Sequence, residues 1–189
     1  MIQLIALALA DSMQQHVKKE LESAQIYFTM SAWCADKGYE HTSKWFCNHG
    51  KEEQCHAEKV ITFLKDKDVL VITPQIDKVD TSAWLTLEDL ITGSIAQEKS
   101  VTDKYNATAS FALNFADHDV YGFCLEFLKE QREEHALFNK VWDKLQSLEK
   151  FPGYCFFFEK YIKCLLNKDE QEFKHEHEYK HKHKYKYED

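Results

Sequence analysis

Four long stretches of this chain carry apolar residues at helical spacing. In the first, from about Asp11 or earlier to Asp36, Val17, Leu21, Ala24, Phe28 and Ala32 share one face. Lys37, Gly38 and Tyr39 interrupt it. A second stretch, from about Glu40 to Lys65, repeats Phe46, Gly50, Ala57, Ile61 and Leu64. The third begins near Thr86, an apt N-cap, and runs through Ile91, Ile95, Val101, Tyr105 and Ala109 to about Leu113. The fourth, from about Val120 to Leu148, carries Phe123, Phe127, Leu137, Phe138, Val141 and Leu145. Each predicts a helix roughly 35–45 Å long.

The joins decide how these rods pack. The first and third are short, so each connects antiparallel neighbours. The second, from Asp66 to about Leu85, contains Pro74 and reads as extended. It is long enough to cross the full length of such a bundle. Hairpin, long crossover, hairpin describes an all-α four-helix bundle with one crossover, between helices 2 and 3.

Both ends of the chain add to this plan. The start, "MIQLIALALADS", is apolar, but it lacks a basic leader and is short for a secretion signal. It is expected to form the first turn or two of a helix. After the fourth helix, Pro152 and Gly153 make a turn into a short fifth helix over about 154–166. Its Phe156, Phe157, Phe158, Tyr161, Leu165 and Leu166 are many for one bundle to bury, which predicts a packing element between subunits. The alternative is a seat in a groove of its own bundle. One domain thus spans 1–167. From 168 to 189 the composition turns to His, Lys, Glu and Tyr, as in a solvated, disordered tail. Its His175, His177, His181 and His183 could also capture metal loosely.

Acids interrupt the apolar faces. Glu20 lies between Val17 and Ala24, with Tyr27 two turns on; Glu53 lies on the second stripe with His56 one turn later. Glu98 falls between Ile95 and Val101, and Glu130 and Glu134 fall on the line of Phe123 and Phe127, with Gln131 and Glu133 beside them. One inward Glu is usually a tilted surface residue. Four helices doing so at matching heights point to a metal site. Residues three apart share a helix face, so Glu53 and His56 can hold one ion between them.

Charge says how many ions. Glu20, Glu53, Glu98 and Glu134 carry four negative charges, and each like-charge contact near 4 Å costs roughly 4 kcal/mol at an effective dielectric near 20. Two divalent cations balance them. Oxygen donors with one imidazole and no thiolate suit iron or manganese. A second acidic group, Glu52 with Glu130 and Glu133, lies alongside and could hold a further ion; the plain alternative is a solvated acidic face. The net charge of −8 argues against nucleic acid and suits cations. No apolar run is long enough to span a membrane. The 6 Cys show no two-residue pairing spacing, so reduced thiols and a cytoplasmic setting are expected.

At "KKELESAQIYFTMSAWC" (18–34), "HGKEEQCH" (49–56), "AQEKSVTDKY" (96–105) and "FLKEQREEHALF" (127–138), the chain resembles a ferritin, most closely the non-haem bacterial type. The resemblance covers about 11 to 166. It implies the ferritin-like fold and iron storage by a ferroxidase that oxidises Fe(II) with O2 or H2O2. It implies a homo-oligomeric hollow shell of about 24 subunits holding ferric oxide. In that family Glu20, Glu53 and His56 would form the first iron site. Glu53, Glu98 and Glu134 would form the second, with Gln131 nearby. Glu52, Glu130 and Glu133 would form a third, transit site, and Tyr27 matches the tyrosine beside the centre. No haem is expected, because no Met falls within 52–56. The fourth helix lacks the acids that line the pore in animal relatives; Asp117, His118 and Asp119 are candidates to replace them.

Overall fold

The computed structural model describes residues 5–168. The bundle consists of α1 (Leu7–Asp36), α2 (Glu40–Asp66), α3 (Leu87–Asn114) and α4 (His118–Leu148). A fifth helix, α5, follows over 154–168. The predicted all-α bundle with one crossover is the observed architecture, and no strand occurs among the described residues. The His-rich tail lies outside the described residues, apart from its first residue, Lys168.

The helix ends follow from local chemistry. At the end of α1 the Tyr39 N–H reaches the Cys34 carbonyl at 2.8 Å and the Gly38 N–H reaches Ala35 at 3.1 Å. Gly38 has φ +80°, which this Schellman turn requires. The same pair of bonds closes α2 at Asp68 and α3 at Ala116, both with positive φ although neither is glycine. Thr86 caps α3 in a reciprocal capping box with Asp89, as its position before the third stripe predicts. Thr86→Ala is expected to lower stability by about 1 kcal/mol, seen as a small drop in melting temperature with the helix content unchanged.

The apolar start belongs to the bundle. Helix α1 begins four residues before Asp11, and Ile5, Leu9, Ala10 and Met13 are buried. Gly50 allows α1 and α2 to approach closely: a Cβ there would lie 2.7 Å from the Phe28 ring. The crossover runs back along α1, with the Ile72 N–H bonded to Gln14 and residues 76–80 beside Ile26 and Met30. Helices α2 and α4 meet through side chains, including Phe63 on Phe123 and Trp45 on Phe138.

The core divides into two apolar clusters at opposite ends. One joins Met30, Cys34, Trp45, Phe46, Leu90, Ile91, Val141 and Leu145. The other joins Leu9, Met13, Val17, Val60, Leu64, Val101, Ala112 and Val120. The α5 helix closes the first: Phe158, Ile162, Leu165 and Leu166 are buried against their own bundle. The alternative of a groove in its own bundle is therefore realised for one face of this helix. Phe156 and Phe157 on its other face, and Phe151 in the turn before it, stay exposed. All six cysteines are free, and burial holds the Cys34 and Cys124 thiols up to about 12.

Candidate metal centre

Between the two apolar plugs lies a polar layer. Glu20, Glu98, Glu53, His56 and Gln131 are all buried there, the first two completely. Glu20, Glu53 and Glu98 each sit where an otherwise apolar stripe carries a polar residue, so helix periodicity alone turns them inward. Ligand atoms of Glu20, Glu53 and His56 lie within 4.8 Å of one another. His56 Nδ1 is 3.2 Å from Glu53 Oε2, the contact expected from their three-residue spacing.

Two tyrosines brace this layer by exchange. Tyr27 of α1 donates to Glu98 of α3, and Tyr105 of α3 donates to Glu20 of α1 at 2.7 Å. Each helix carries Glu and Tyr seven residues apart, and because α1 and α3 run antiparallel each tyrosine meets the other helix's acid. Burial, with the neighbouring carboxylates, pushes both phenols well above their usual range, so they stay protonated donors. The exchange leaves the second oxygen of each acid free. Glu20 Oε2, Glu98 Oε2 and Glu134 Oε2 are buried without a hydrogen-bond partner.

The acids carry more negative potential than the protein neutralises. Burial, then the Glu53 charge, raises Glu20 well above the usual carboxylate range; burial, then Glu98, does the same to Glu53. Burial pushes Glu134 up to about 7. Leaving a buried oxygen unpaired costs about 1–3 kcal/mol. A layer with three such oxygens is suited to receive cations.

The remaining residues of the predicted set divide. Gln131 is buried; its Oε1 accepts from Thr102 at 3.1 Å and its Nε2 is unpartnered. The fourth helix therefore turns Gln131 inward and swings Glu130 toward solvent, whereas the stripe predicts Glu130 inward. The α4 core line is Cys124, Phe127, Gln131, Phe138; Glu130 lies one position off it. Both Glu130 oxygens bond Lys59 at 2.9 Å, and one lies 3.2 Å from His56 Nε2. Glu133 is exposed. Among the described residues, neither Glu130 nor Glu133 joins a cluster of three ligand atoms. Glu52 and Glu134 do join one, and its third member is His49.

His49, Tyr105 and Thr102 are the site residues that the stripes do not single out. A signal for His49 is present in "HGKEEQCH", where His49 precedes Glu52 by the same three residues that separate Glu53 from His56. Tyr105 reads as an ordinary apolar-face aromatic until its partner helix is known. Asp117, His118 and Asp119 line one surface cavity, but Asp117 caps α4 and Asp119 pairs with Lys67. No helix among the described residues is long and apolar enough to cross a membrane.

Comparison with known proteins agrees with this fold. A family model described as the ferritin-like domain matches residues 10–148. A bacterial non-heme ferritin-like protein of Haemophilus influenzae is 30% identical over 149 residues, 79% of this chain and 90% of that protein. The bacterial non-heme ferritin of Campylobacter jejuni is 26% identical over 80% of this chain and 90% of its own length. In fold, an open pore ferritin from Archaeoglobus fulgidus superposes with a TM-score of 0.81 at 21% identity, covering 85% of this chain and 98% of that one. With a crossover bundle, a carboxylate layer built from all its long helices and a domain match over most of its length, the chain belongs to the ferritin family.

Proposed function

We propose that this protein oxidises iron(II) at paired sites in the polar layer and stores the iron(III) as a hydrous oxide inside an oligomeric shell. One observation carries the reading: buried acids of α1, α2 and α3, with the partly buried Glu134 of α4, lie in one layer and leave three carboxylate oxygens without a partner. Glu20, Glu53 and His56 receive one iron(II). Glu53, Glu98 and Glu134 receive the other, with Gln131 beside them and Glu53 shared between the two. Two iron(II) ions each give up one electron, and O2 with two protons becomes H2O2. With H2O2 as oxidant, the same two electrons and two protons yield two waters.

The protein's own groups set the conditions. Protons held on the raised carboxyls leave as the cations arrive, so the buried charge stays near balance throughout. Tyr27 and Tyr105, as neutral donors, hold Glu98 and Glu20 by one oxygen and turn the other toward the ions. His56 opens one of its two carboxylate contacts to take iron. After oxidation the site holds six positive charges against four negative. Hydroxide must then enter, which favours release of iron(III) toward the mineral.

The exposed Phe151, Phe156, Phe157, Leu70, Ile72 and Leu85 give the surface apolar area that subunit contacts would bury. A shell of 24 copies is the assembly expected of the family. Aerobic loading with iron(II), followed by sedimentation and electron microscopy, tests the whole reading. A large hollow particle with a dense ferric core is expected. A small particle without a core rules out storage.

A further inference from the structure

We propose that Thr102 and His135 are positioning residues that fix Gln131 as a hydrogen-bond donor to an oxygen anion in the polar layer and keep it from serving as an iron ligand. The inference rests on the reading above for the source of that anion.

Gln131 is 1% exposed and lies on α4 one turn before His135. Thr102 lies on α3 one turn after Glu98. The Thr102 hydroxyl is 3.1 Å from Gln131 Oε1 and 3.2 Å from His135 Nε2. Thr102 and His135 are half-buried, so the three groups run from the seam of α3 and α4 to the buried layer. A hydroxyl has one hydrogen to give. Thr102 gives it to the Gln131 oxygen, so the second bond needs His135 Nε2 as its donor. The planar amide then keeps its oxygen at the seam and turns Nε2 away from it. His135 joins no ligand trio among the described residues, so its effect on the centre passes through Thr102 and Gln131.

A second observation is independent of these bonds. Gln131 Nε2 is buried and has no hydrogen-bond partner. An amide nitrogen shares its lone pair with the carbonyl and has none for a cation; it offers two N–H donors. An acceptor that arrives with the reaction suits it. The oxidised centre must admit hydroxide to balance its charge, and that anion is such an acceptor.

The rival arrangement reverses every bond. With His135 protonated at Nδ1 alone, Thr102 would donate to Nε2 and accept from the amide, and Gln131 would turn its oxygen inward. The charge of the layer opposes that. Glu20, Glu98 and Glu134 each leave one buried oxygen unpartnered. Another oxygen among them would add negative potential, whereas N–H groups relieve it.

Neutron diffraction from deuterated, metal-free crystals of the full chain reads the arrangement directly. Deuterium on His135 Nε2 and an inward ND2 on Gln131 are expected. A bare Nε2 with the amide oxygen inward overturns the inference, whatever iron does. Anaerobic cobalt(II) titration and stopped-flow iron(II) oxidation then separate donor from ligand. Thr102→Val should leave the cobalt(II) affinity and the iron(II) concentration for half-maximal rate unchanged. Its maximal rate should fall about tenfold, less than the roughly 100-fold or more lost with an oxyanion donor itself, because Thr102 acts through Gln131. Thr102→Ser should restore the rate. Gln131→Leu should show the larger loss at unchanged cobalt(II) affinity. If Thr102→Val fails to fold, His135→Ala, at a half-exposed side chain, carries the same test in the same direction. Cobalt(II) affinity that falls along with the rate makes Gln131 a ligand and overturns the inference. An unchanged rate in Thr102→Val and Gln131→Leu overturns it too. A parent chain that takes up no pair of cobalt(II) ions removes the paired centre instead, and the diffraction result still decides which way the amide faces.

Discussion

Glu53→Ala abolishes the fast phase of iron(II) oxidation, lowering its rate on the order of 100-fold or more. Groups that merely support metal ligands contribute about 10–100-fold, and Glu53 is placed to serve two ions at once. It is buried, touches His56 at 3.2 Å and lies in the electrostatic reach of Glu98 and Glu134. Its neighbour Glu52 is turned about 100° away on α2, toward His49. The same change should make the metal-free protein more stable, since a buried carboxyl with like-charged neighbours opposes folding. Lost oxidation with gained stability separates a site residue from a structural one. Stopped-flow absorbance of ferric products measures the first, and thermal melting the second. Deletion of residues 169–189 should leave the fast phase intact. Fast oxidation that survives in Glu53→Ala and disappears in the deletion would place the chemistry in the His-rich tail.

Metal-free protein is more stable at pH 6.5 than at pH 8. The folded state holds protons on Glu20, Glu53 and Glu134, whereas carboxyls in the unfolded chain have lost theirs above about 4.5. Stability therefore falls as pH rises, by about 1.4 kcal/mol per pH unit for each retained proton. For Glu134 the loss runs from about 4.5 to about 7; for the other two it continues higher. His49 adds in the same direction. Burial works against its charge, but the Glu52 hydrogen bond and the Glu134 charge outweigh that and raise it, so its contribution is also lost as pH rises.

His16 opposes. Burial, and then Lys104, lowers it from 6.5 to about 3, so it withdraws stability as pH falls below 6.5. The interval from 6.5 to 8 excludes His16 and leaves the acids, with His49 acting in the same direction. Over it the melting temperature should drop by about 5 °C or more, since each kcal/mol moves a protein of this size by about 2–4 °C. Glu53→Gln should flatten the drop, since it removes one of the two acids that titrate above Glu134 and relieves the other. Cobalt(II) at pH 8 under anaerobic conditions should reverse it, adding about 2.7 kcal/mol at 100 times its dissociation constant, and a chelator should undo the gain. A melting temperature that rises from pH 6.5 to 8 would mean that these carboxyls are not buried together.

The legible part of this protein follows from periodicity. Glu20, Glu53 and Glu98 each take a place where an apolar stripe demands a buried residue, and a helix of fixed pitch leaves them no other side to face. The three-residue step from Glu53 to His56 is equally local. Glu130 shows where such reading ends. It and Gln131 are neighbours about 100° apart on α4, and both lie near the stripe's edge. A small rotation of the helix about its axis chooses between them, and packing of Phe127, Phe138 and Val141 sets that rotation.

His49 and the tyrosine exchange fail to show in the chain for a different reason. Their meaning depends on which residue of another helix stands opposite. Tyr105 is one aromatic among many until the antiparallel pairing of α1 and α3 puts it against Glu20. His49 gains its second carboxylate only because α4 brings Glu134 across from α2. The α5 helix is similar: its apolar content was plain, but its division into a face on its own bundle and a face left bare required the groove it occupies.

Chain order and helix pitch settled the number of rods, their connection and the inward placing of Glu20, Glu53, His56 and Glu98. Those are contacts of residue with residue along one rod, where geometry is fixed by the backbone. The partners of each acid, the outward turn of Glu130 and the ligand trio at His49 came from how the rods dock. Docking depends on the rotation and height of one helix against another, and no single stretch of sequence encodes either.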